Sequence, residues 1–121
     1  MRLPARLRMK ESRDFAAVRA RGISQSGRYF VLALLRDEAL SDFQFGLVTG
    51  KKLGGAVVRN RLRRQMREII REHRSRIQPG YWLVTIARWR APQADFDELK
   101  QDWKRLAKRA GLLLPQAPVS A

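Results

Sequence analysis

The most informative part of the sequence is residues 46–71, GLVTGKKLGGAVVRNRLRRQMREIIR. The stretch opens inside a predicted strand, 43–49 (FQFGLVT), continues through a glycine-rich segment, 50–55 (GKKLGG), that predicts a loop, and ends in a predicted helix from about Val57 to Arg74. On a helical wheel the apolar positions of this helix share one arc of about 120°. The arc contains Val58, Leu62, Met66, Ile69, Ile70 and His73. We expect it to pack on a sheet and the arginines to face outward.

The rest of the chain supplies further helices and strands. Apolar spacing predicts a helix over 11–20, and strands are predicted at 29–35 (YFVLALL) and 81–87 (YWLVTIA). An acidic turn between 29–35 and 43–49 favours a hairpin of those two strands, and residues 23–26 are compatible with a short edge strand. A final helix is predicted over 96–110, with a capping box at its start.

The element order is therefore α, two or three strands, α, β, α. It indicates an α+β sandwich in which helices cover a small sheet. At 121 residues we expect one domain, 1–121. Its ordered core is expected over about 5–110, and the uncharged, proline-containing end of the chain, 112–121, is expected to be a flexible tail.

Charge points to a polyanionic partner. The chain carries 26 Lys and Arg against 11 Asp and Glu, a formal net charge of +15, and most of the cations are arginine. Arginine binds phosphate bidentately and stacks on bases, so nucleic acid is the favoured partner and an anionic membrane surface the weaker one. No cysteine is present, which excludes disulfides, thiolate metal sites and a cysteine nucleophile. The longest apolar run, 29–35, is far short of the roughly 20 residues that span a bilayer, and no signal-peptide pattern is seen, so we expect a cytoplasmic protein.

The predicted arginine helix carries like charges at a spacing that destabilises an isolated helix. Four arginines repeat at i, i+4, where like charges repel, and only two carboxylates of the helix, Glu68 and Glu72, are available to balance them. The row consists of Arg59, Arg63, Arg67 and Arg71. A solvated face held by ion pairs would need mixed signs, so we interpret this face as a phosphate-binding surface. The preceding glycines could let the backbone approach a phosphate, although the loop lacks the Walker A order.

Residues suited to protein-borne catalysis are scarce. His73 is the only histidine and falls in the apolar arc, which indicates a structural role. The acidic residues, including Asp102 near the start of the last helix, are interpreted as surface and capping groups. Trp82 is expected in the core, while Trp89 is compatible with either core packing or base stacking. We predict no catalytic residue and no metal ligand on this chain.

At 46–71 the sequence resembles the signature region of the protein subunit of bacterial ribonuclease P. The specific elements are the Lys-Lys-x-Gly loop, the Ala-Val pair and Arg59-Asn60-Arg61 with the basic residues that follow. A weaker likeness extends over about 5–110. The resemblance implies an αβββαβα fold with a left-handed βαβ crossover, an exception to the usual hand. It also implies one protein bound to a catalytic RNA that holds Mg²⁺ and cleaves the 5′ leader from precursor tRNA.

The resemblance assigns two groups of site residues. The residues implied to bind the catalytic RNA are Lys51, Lys52, Arg59, Asn60, Arg61, Arg63, Arg64 and Arg67. The residues implied to line a cleft for the leader are Phe15, Arg19, Tyr29, Val31 and Ala33. The cleft departs from the family pattern, because Arg19 and Ala33 stand where many or some members have aromatic residues. By strand alternation Tyr29 is expected on the same face as Val31 and Ala33, where it could supply a stacking ring.

Three other functions are compatible with a strongly basic chain. Composition alone does not separate a ribonuclease P subunit from a structural RNA-binding protein of ribosomal type. A DNA-binding regulator with the arginine helix in the major groove would usually need a second helix just upstream, where this sequence predicts a strand and a loop. A membrane-active helix is disfavoured because the apolar arc has no Trp or Phe.

Overall fold

The computed structural model describes residues 3–115, which form three helices and four strands. The helices are α1 (Ser12–Arg21), α2 (Ala56–His73) and α3 (Phe96–Arg109). The strands are β1 (Ile23–Ser26), β2 (Phe30–Arg36), β3 (Gln44–Val48) and β4 (Tyr81–Ala87). The predicted α+β class and the αβββαβα order are confirmed, including the short edge strand β1.

The strands form one sheet in the order β1-β2-β4-β3. β4 pairs antiparallel with β2 and parallel with β3. The predicted hairpin of β2 and β3 is therefore wrong, because β4 lies between them. A turn of this length fixes the direction in which the chain returns but does not require the two strands to be neighbours. The interior of β4 is buried on both faces, as Leu83, Val84 and Thr85 show, and this burial requires a central position.

The two faces of the sheet carry different layers. Phe30, Leu32 and Leu83 point to the side covered by α2 and α3, where the larger core cluster lies. Ala33 and Val84 point to the other side, where α1 covers them with Val18. The alternation along β2 and β4 thus separates an α1 face from an α2/α3 face, and the molecule is a three-layer sandwich.

The crossover from β3 through α2 to β4 joins two parallel neighbours. The buried residues of α2 are Leu62, Met66, Ile69, Ile70 and His73. They belong to the predicted apolar arc, and its remaining member, Val58, is partly buried against the same core. Packing of this arc fixes which side of α2 faces outward. The left hand of the crossover stays a prediction of the resemblance.

The predicted capping box at the start of α3 is confirmed. The Asp95 carboxylate accepts the backbone N–H of Glu98, and the Glu98 carboxylate accepts the backbone N–H of Asp95. Asp102, however, is 2% exposed, so its interpretation as a surface group is wrong. It accepts hydrogen bonds from the backbone N–H groups of Arg28, Tyr29 and Phe30 and thereby ties the start of β2 to α3.

The chain after α3 packs on the core for several residues. Leu112 is fully buried, Leu113 bridges Ile77, and the Leu114 N–H donates to the Arg76 carbonyl. The packing of Leu112 and Leu113 shows that the core extends past the expected start of the tail at 112, whereas Leu114 is exposed. The flexible tail itself stays a prediction. Residues 116–121 lie outside the part of the chain that the structure describes. Within residues 3–115, no helix is long and apolar enough to cross a membrane.

Candidate nucleic-acid interface

The outer face of α2 presents the predicted RNA-binding residues. Asn60 and Arg64 are exposed, and Arg59, Arg61, Arg63 and Arg67 are partly buried. The Arg61 guanidinium donates to the Pro92 carbonyl at 2.8 Å, in the loop after β4. The Arg63 guanidinium donates to the Thr49 hydroxyl at 2.6 Å and to the Asn60 side-chain oxygen. These bonds direct the side chains of Arg61 and Arg63 toward the loops at the C-terminal ends of the parallel strands β3 and β4.

A cluster of cations without acidic partners surrounds Arg67. Partial burial lowers the pKa of Arg67, and the positive charges of Arg8, Arg63 and Arg64 lower it further. Within residues 3–115, the only arginine of α2 in an ion pair is Arg71, which binds Glu68. The rest of the face therefore has the concentrated positive potential expected of a polyanion site.

Arg8 is a member of this cluster that sequence reasoning missed. Its backbone segment lies beside β3, where Arg8 bridges Phe45 and the Met9 N–H donates to the Phe45 carbonyl at 2.8 Å. The added segment covers the free edge of the sheet and brings Arg8 near α2. The only signal in the sequence was the general positive charge of the N-terminal region, which does not specify a position.

The lysine loop precedes α2. Lys51 and Lys52 are exposed on a short 3₁₀ turn, Lys51–Leu53. Gly54 follows with φ +144°, and a Cβ there would lie 3.1 Å from the Val58 Cβ, so the turn requires glycine. No side chain caps the N-terminus of α2 at Gly55. The free N–H groups of a helix start and two adjacent lysines form a suitable environment for a phosphate.

The predicted leader cleft lies on the α1 face, but only part of it is accessible. Phe15 and Val31 are partly buried and Arg19 is exposed. Ala33 is 1% exposed beneath α1 and can only support the floor. Phe15 lies over Gly46 of β3, where any side chain would collide with its ring.

Val48 and Ile86 complete the floor of this cleft and were missed by sequence reasoning. Ile86 pairs with Val31 across β2 and β4, and with Val48 across β4 and β3. All three are partly buried, so they form an apolar strip across three strands. Alternation within β3 and β4 was the available signal, because Val48 and Ile86 share a face with Gly46 and Val84.

Tyr29 lies on the opposite side from its predicted position. β2 begins at Phe30, and Tyr29 packs in the α2/α3 core cluster with 9% exposure. Its hydroxyl donates to the Glu98 carboxylate at 2.9 Å, and this hydrogen bond is the main cause of a raised Tyr29 pKa. The alternation of side chains along β2 does not extend back to Tyr29. Hydrogen bonds from the N–H groups of residues 28–30 to Asp102 hold this part of the backbone against α3. Tyr29 therefore does not line the α1-face cleft.

His73 and Asp37 make structural contacts. His73 is buried, its Nδ1 lies 2.7 Å from the Ile69 carbonyl, and its ring packs on Trp103. Trp82 is half-buried, and its indole N–H donates to Asp37, which lowers the pKa of that carboxyl. No group of three or more His, Cys, Asp or Glu side chains suited to a metal ion occurs in residues 3–115.

Known proteins resemble this chain over most of its length. A family model described as Ribonuclease P matches residues 3–111. The Ribonuclease P protein component of Symbiobacterium thermophilum is 42% identical over 106 residues, 88% of this chain and 92% of that protein. The Ribonuclease P protein component of Listeria innocua is 40% identical over 111 residues, which cover 92% of this chain and 92% of that protein.

Solved structures agree with the sequence comparisons. The RNase P protein of Staphylococcus aureus superposes with a TM-score of 0.83 at 29% identity, over 88% of this chain and 96% of that one. The RNase P protein of Thermotoga maritima gives a TM-score of 0.73 at 30% identity, over 90% and 96%. Sequence and fold therefore agree with the arginine-rich face of α2: this chain belongs to the ribonuclease P protein family, as the protein subunit of a bacterial ribonucleoprotein endoribonuclease.

Proposed function

We propose that the outer face of α2 and the lysine loop bind phosphates of the catalytic RNA, and that the α1-face cleft receives the 5′ leader of precursor tRNA. The observation that carries the proposal is the group of arginines around Arg67, whose charges have no acidic partners among the described residues. Membership of the family disfavours the alternative of a structural RNA-binding protein.

Burial is the main cause of the lowered Arg67 pKa, and phosphates would relieve the second cause, the repulsion from Arg8, Arg63 and Arg64. Each phosphate neutralised by a cation releases counterions, so log K should fall against log[salt] by about 0.7–0.9 per contact. The hydrogen bonds from Arg61 and Arg63 to Pro92 and Thr49 restrict these side chains before RNA arrives. Less rotamer entropy is then lost on binding.

The cleft suits a single strand of variable sequence. Its floor of Val31, Val48 and Ile86 is apolar, and the Phe15 ring stands at its side. Aromatic and apolar surfaces hold bases by stacking, which tolerates any base. Arg19 on the exposed side of α1 adds a charge for the leader backbone.

In this proposal hydrolysis occurs on the RNA, which holds the Mg²⁺ ions, and the protein positions the substrate. One protein per RNA suffices, since α2 and the cleft lie on one chain. The proposed partners are RNAs of the bacterial cytoplasm, so the proposal includes a cytoplasmic protein.

The RNA contact is tested by the double variant Arg59→Ala, Arg61→Ala in filter binding with a ribonuclease P RNA. We expect binding to be lost at salt concentrations where the wild type binds tightly. Lys108→Ala, Arg109→Ala removes the same charge from the exposed last turn of α3 and serves as the matched control. Equal losses in both variants would show a non-specific charge effect, and unchanged affinity in the first would refute the assignment. Circular dichroism checks folding, because Arg61 also contacts Pro92.

The leader cleft is tested with Phe15→Ala and Phe15→Leu in the reconstituted holoenzyme. We expect the alanine variant to weaken binding of precursor tRNA more than binding of mature tRNA. The leucine variant keeps apolar bulk without the ring, so it separates stacking from packing. Equal losses for both RNAs would remove the leader role from Phe15.

The enzymatic role is tested by cleavage. Purified protein is added to a ribonuclease P RNA and 5′-labelled precursor tRNA at Mg²⁺ low enough that the RNA alone is slow. We expect faster cleavage at the mature 5′ end. Tight, salt-sensitive RNA binding without acceleration would instead favour a purely structural RNA-binding role.

A further inference from the structure

The turn after β4 presents an exposed aromatic ring beside arginines. Trp89 is 66% exposed, and the Arg90 guanidinium lies 4.6 Å from the centre of its ring. Large exposed apolar side chains are few within residues 3–115, and they are Ile23, Val57, Trp89 and Leu114. Single exposed hydrophobic residues are ordinary on protein surfaces. Trp89 differs from the other three because it is aromatic and carries a cation on its ring.

The turn is held rigidly on both sides. The Arg88 N–H donates to the Tyr29 carbonyl at 2.7 Å, and its guanidinium donates to the Gly27 carbonyl at 2.6 Å. Beyond the turn, the Arg61 guanidinium holds the Pro92 carbonyl at 2.8 Å. Trp89 is therefore presented on a fixed backbone that is bonded directly to the α2 face.

A basic cavity of about 240 Å³ lies beside Arg90, the residue whose guanidinium also sits over the Trp89 ring. Arg28 and Arg90 line it from two different loops, together with Tyr29 and Glu98. The Glu98 carboxylate is engaged by the Tyr29 hydroxyl and by the capping box, which leaves the two arginines as the free charges of the cavity. Arg90 lies at the exposed Trp89 ring, and Arg28 lines the same cavity as Arg90. An exposed aromatic ring with cations nearby can bind an unpaired nucleotide, with its base on the ring and its phosphate on the cations.

We infer that Trp89, Arg90 and Arg28 form a stacking site for an unpaired nucleotide of the catalytic RNA. The inference rests on the proposed RNA contact through α2. The catalytic RNA is favoured over the leader because the cavity contains Tyr29 and Glu98, which belong to the α2/α3 side of the sheet. The leader cleft lies on the α1 face. RNA bound along α2 reaches the turn where Arg61 meets Pro92.

The first experiment measures binding of the catalytic RNA alone to Trp89→Ala, Trp89→Phe and Ile23→Ala. Loss of one base–aromatic stack predicts about 5- to 150-fold weaker binding for the alanine variant. Phenylalanine should recover most of the affinity. Ile23→Ala removes a comparably exposed apolar side chain, 60% exposed on β1, and should bind as wild type. Binding by Trp89→Ala within twofold of wild type would overturn the inference, even if the Arg59, Arg61 variant fails to bind.

The second experiment separates stacking from charge. Trp89→Ala should leave the slope of log K against log[salt] unchanged, because no phosphate contact is removed, whereas Arg90→Gln should reduce the slope by about 0.7–0.9. RNA should also quench tryptophan fluorescence in the wild type, and this quenching should be lost in Trp89→Phe, since Trp103 is buried and Trp82 is half-buried. A defect of Trp89→Ala seen only with leader-bearing precursor tRNA would assign the ring to the leader and overturn the inference.

Discussion

Asp102 is predicted to be the most sensitive single polar residue of the fold. Its Oδ2 accepts the N–H groups of Tyr29 at 2.9 Å and Phe30 at 3.1 Å, and its Oδ1 accepts that of Arg28 at 3.1 Å. The side chain is 2% exposed, so water cannot replace these bonds in the folded protein. Gly27 has no side chain, and a Cβ there would collide with the carboxylate.

Asp102→Asn keeps the shape but removes the charge and one acceptor. If the amide oxygen faces Tyr29 and Phe30, the amide NH₂ must face the N–H of Arg28 and the guanidinium of Arg105, donor against donor. Hydrogen bonds to charged groups contribute about 1.5–3 kcal/mol each. Asp102→Asn loses the hydrogen bond to Arg28 and weakens those to Tyr29 and Phe30, so it should reduce the unfolding free energy by about 2–4 kcal/mol. That is a large part of the roughly 5–15 kcal/mol of a typical domain.

The assay is urea unfolding followed by circular dichroism. With a slope of about 2 kcal/mol per molar urea, in the middle of the usual range, we expect the midpoint to fall by about 1–2 M and the slope to stay constant. Arg105→Gln is the control, since Arg105 also contacts Asp102 but its side chain is 59% exposed, where an ion pair contributes little. A loss below about 0.5 kcal/mol in Asp102→Asn, or an equal loss in Arg105→Gln, would refute the reasoning.

Further predictions concern packing, charge and pH. Gly46→Ala places a Cβ 2.6 Å from the Cζ of Phe15 and should destabilise the protein by about 1–3 kcal/mol in urea unfolding, whereas Gly50→Ala, with open space, should not. Arg67→Gln should raise the thermal unfolding midpoint of the free protein at low salt, because it removes a partly buried charge that lies among like charges. The same variant should bind RNA more weakly. A lower unfolding midpoint would contradict this prediction. A hydrogen bond from an indole lowers the pKa of Asp37, so its stabilisation is complete above the ordinary value of 3.8 and is lost as pH falls through the folded value. The difference in unfolding free energy between wild type and Asp37→Asn should therefore shrink from about pH 5 to pH 3, and a constant difference would exclude this linkage.

The sequence predicted those parts of the fold that depend on local pattern. The apolar arc of α2, the capping box of α3 and the extent of β4 match the structure because each follows from helix or strand periodicity. Strand neighbours were not predicted correctly, since adjacency in the sheet depends on long-range packing. The position of β4 between β2 and β3 buries its interior on both faces. β2 has a similarly apolar sequence, so the apolar run alone did not identify β4 as the inserted strand.

Tyr29 shows where periodicity was misleading. Its alternation with Val31 placed it on the α1 face, but the backbone before Phe30 turns toward Asp102. A signal for this turn existed in the sequence of α3, where Asp102 stands beside Trp103 within the stripe that also contains Leu99 and Leu106. A carboxylate at such a position must find buried donors. The identity of those donors required the structure.

The boundary between paired and unpaired arginines on α2 has a functional reason. Arg71 near the C-terminal end is bound to Glu68, and that hydrogen bond raises the Arg71 pKa. One helical turn earlier, Arg67 has no ion pair among the described residues. Its pKa is lowered by partial burial and, in addition, by the charges of Arg8, Arg63 and Arg64. Acidic residues at i, i+4 would have stabilised the free helix throughout, so their absence from the first three turns leaves the folded protein less stable than it could be. Departures from local rules concentrate where function requires them. The pattern of Glu residues therefore marks where the proposed RNA surface ends, between Arg67 and Arg71.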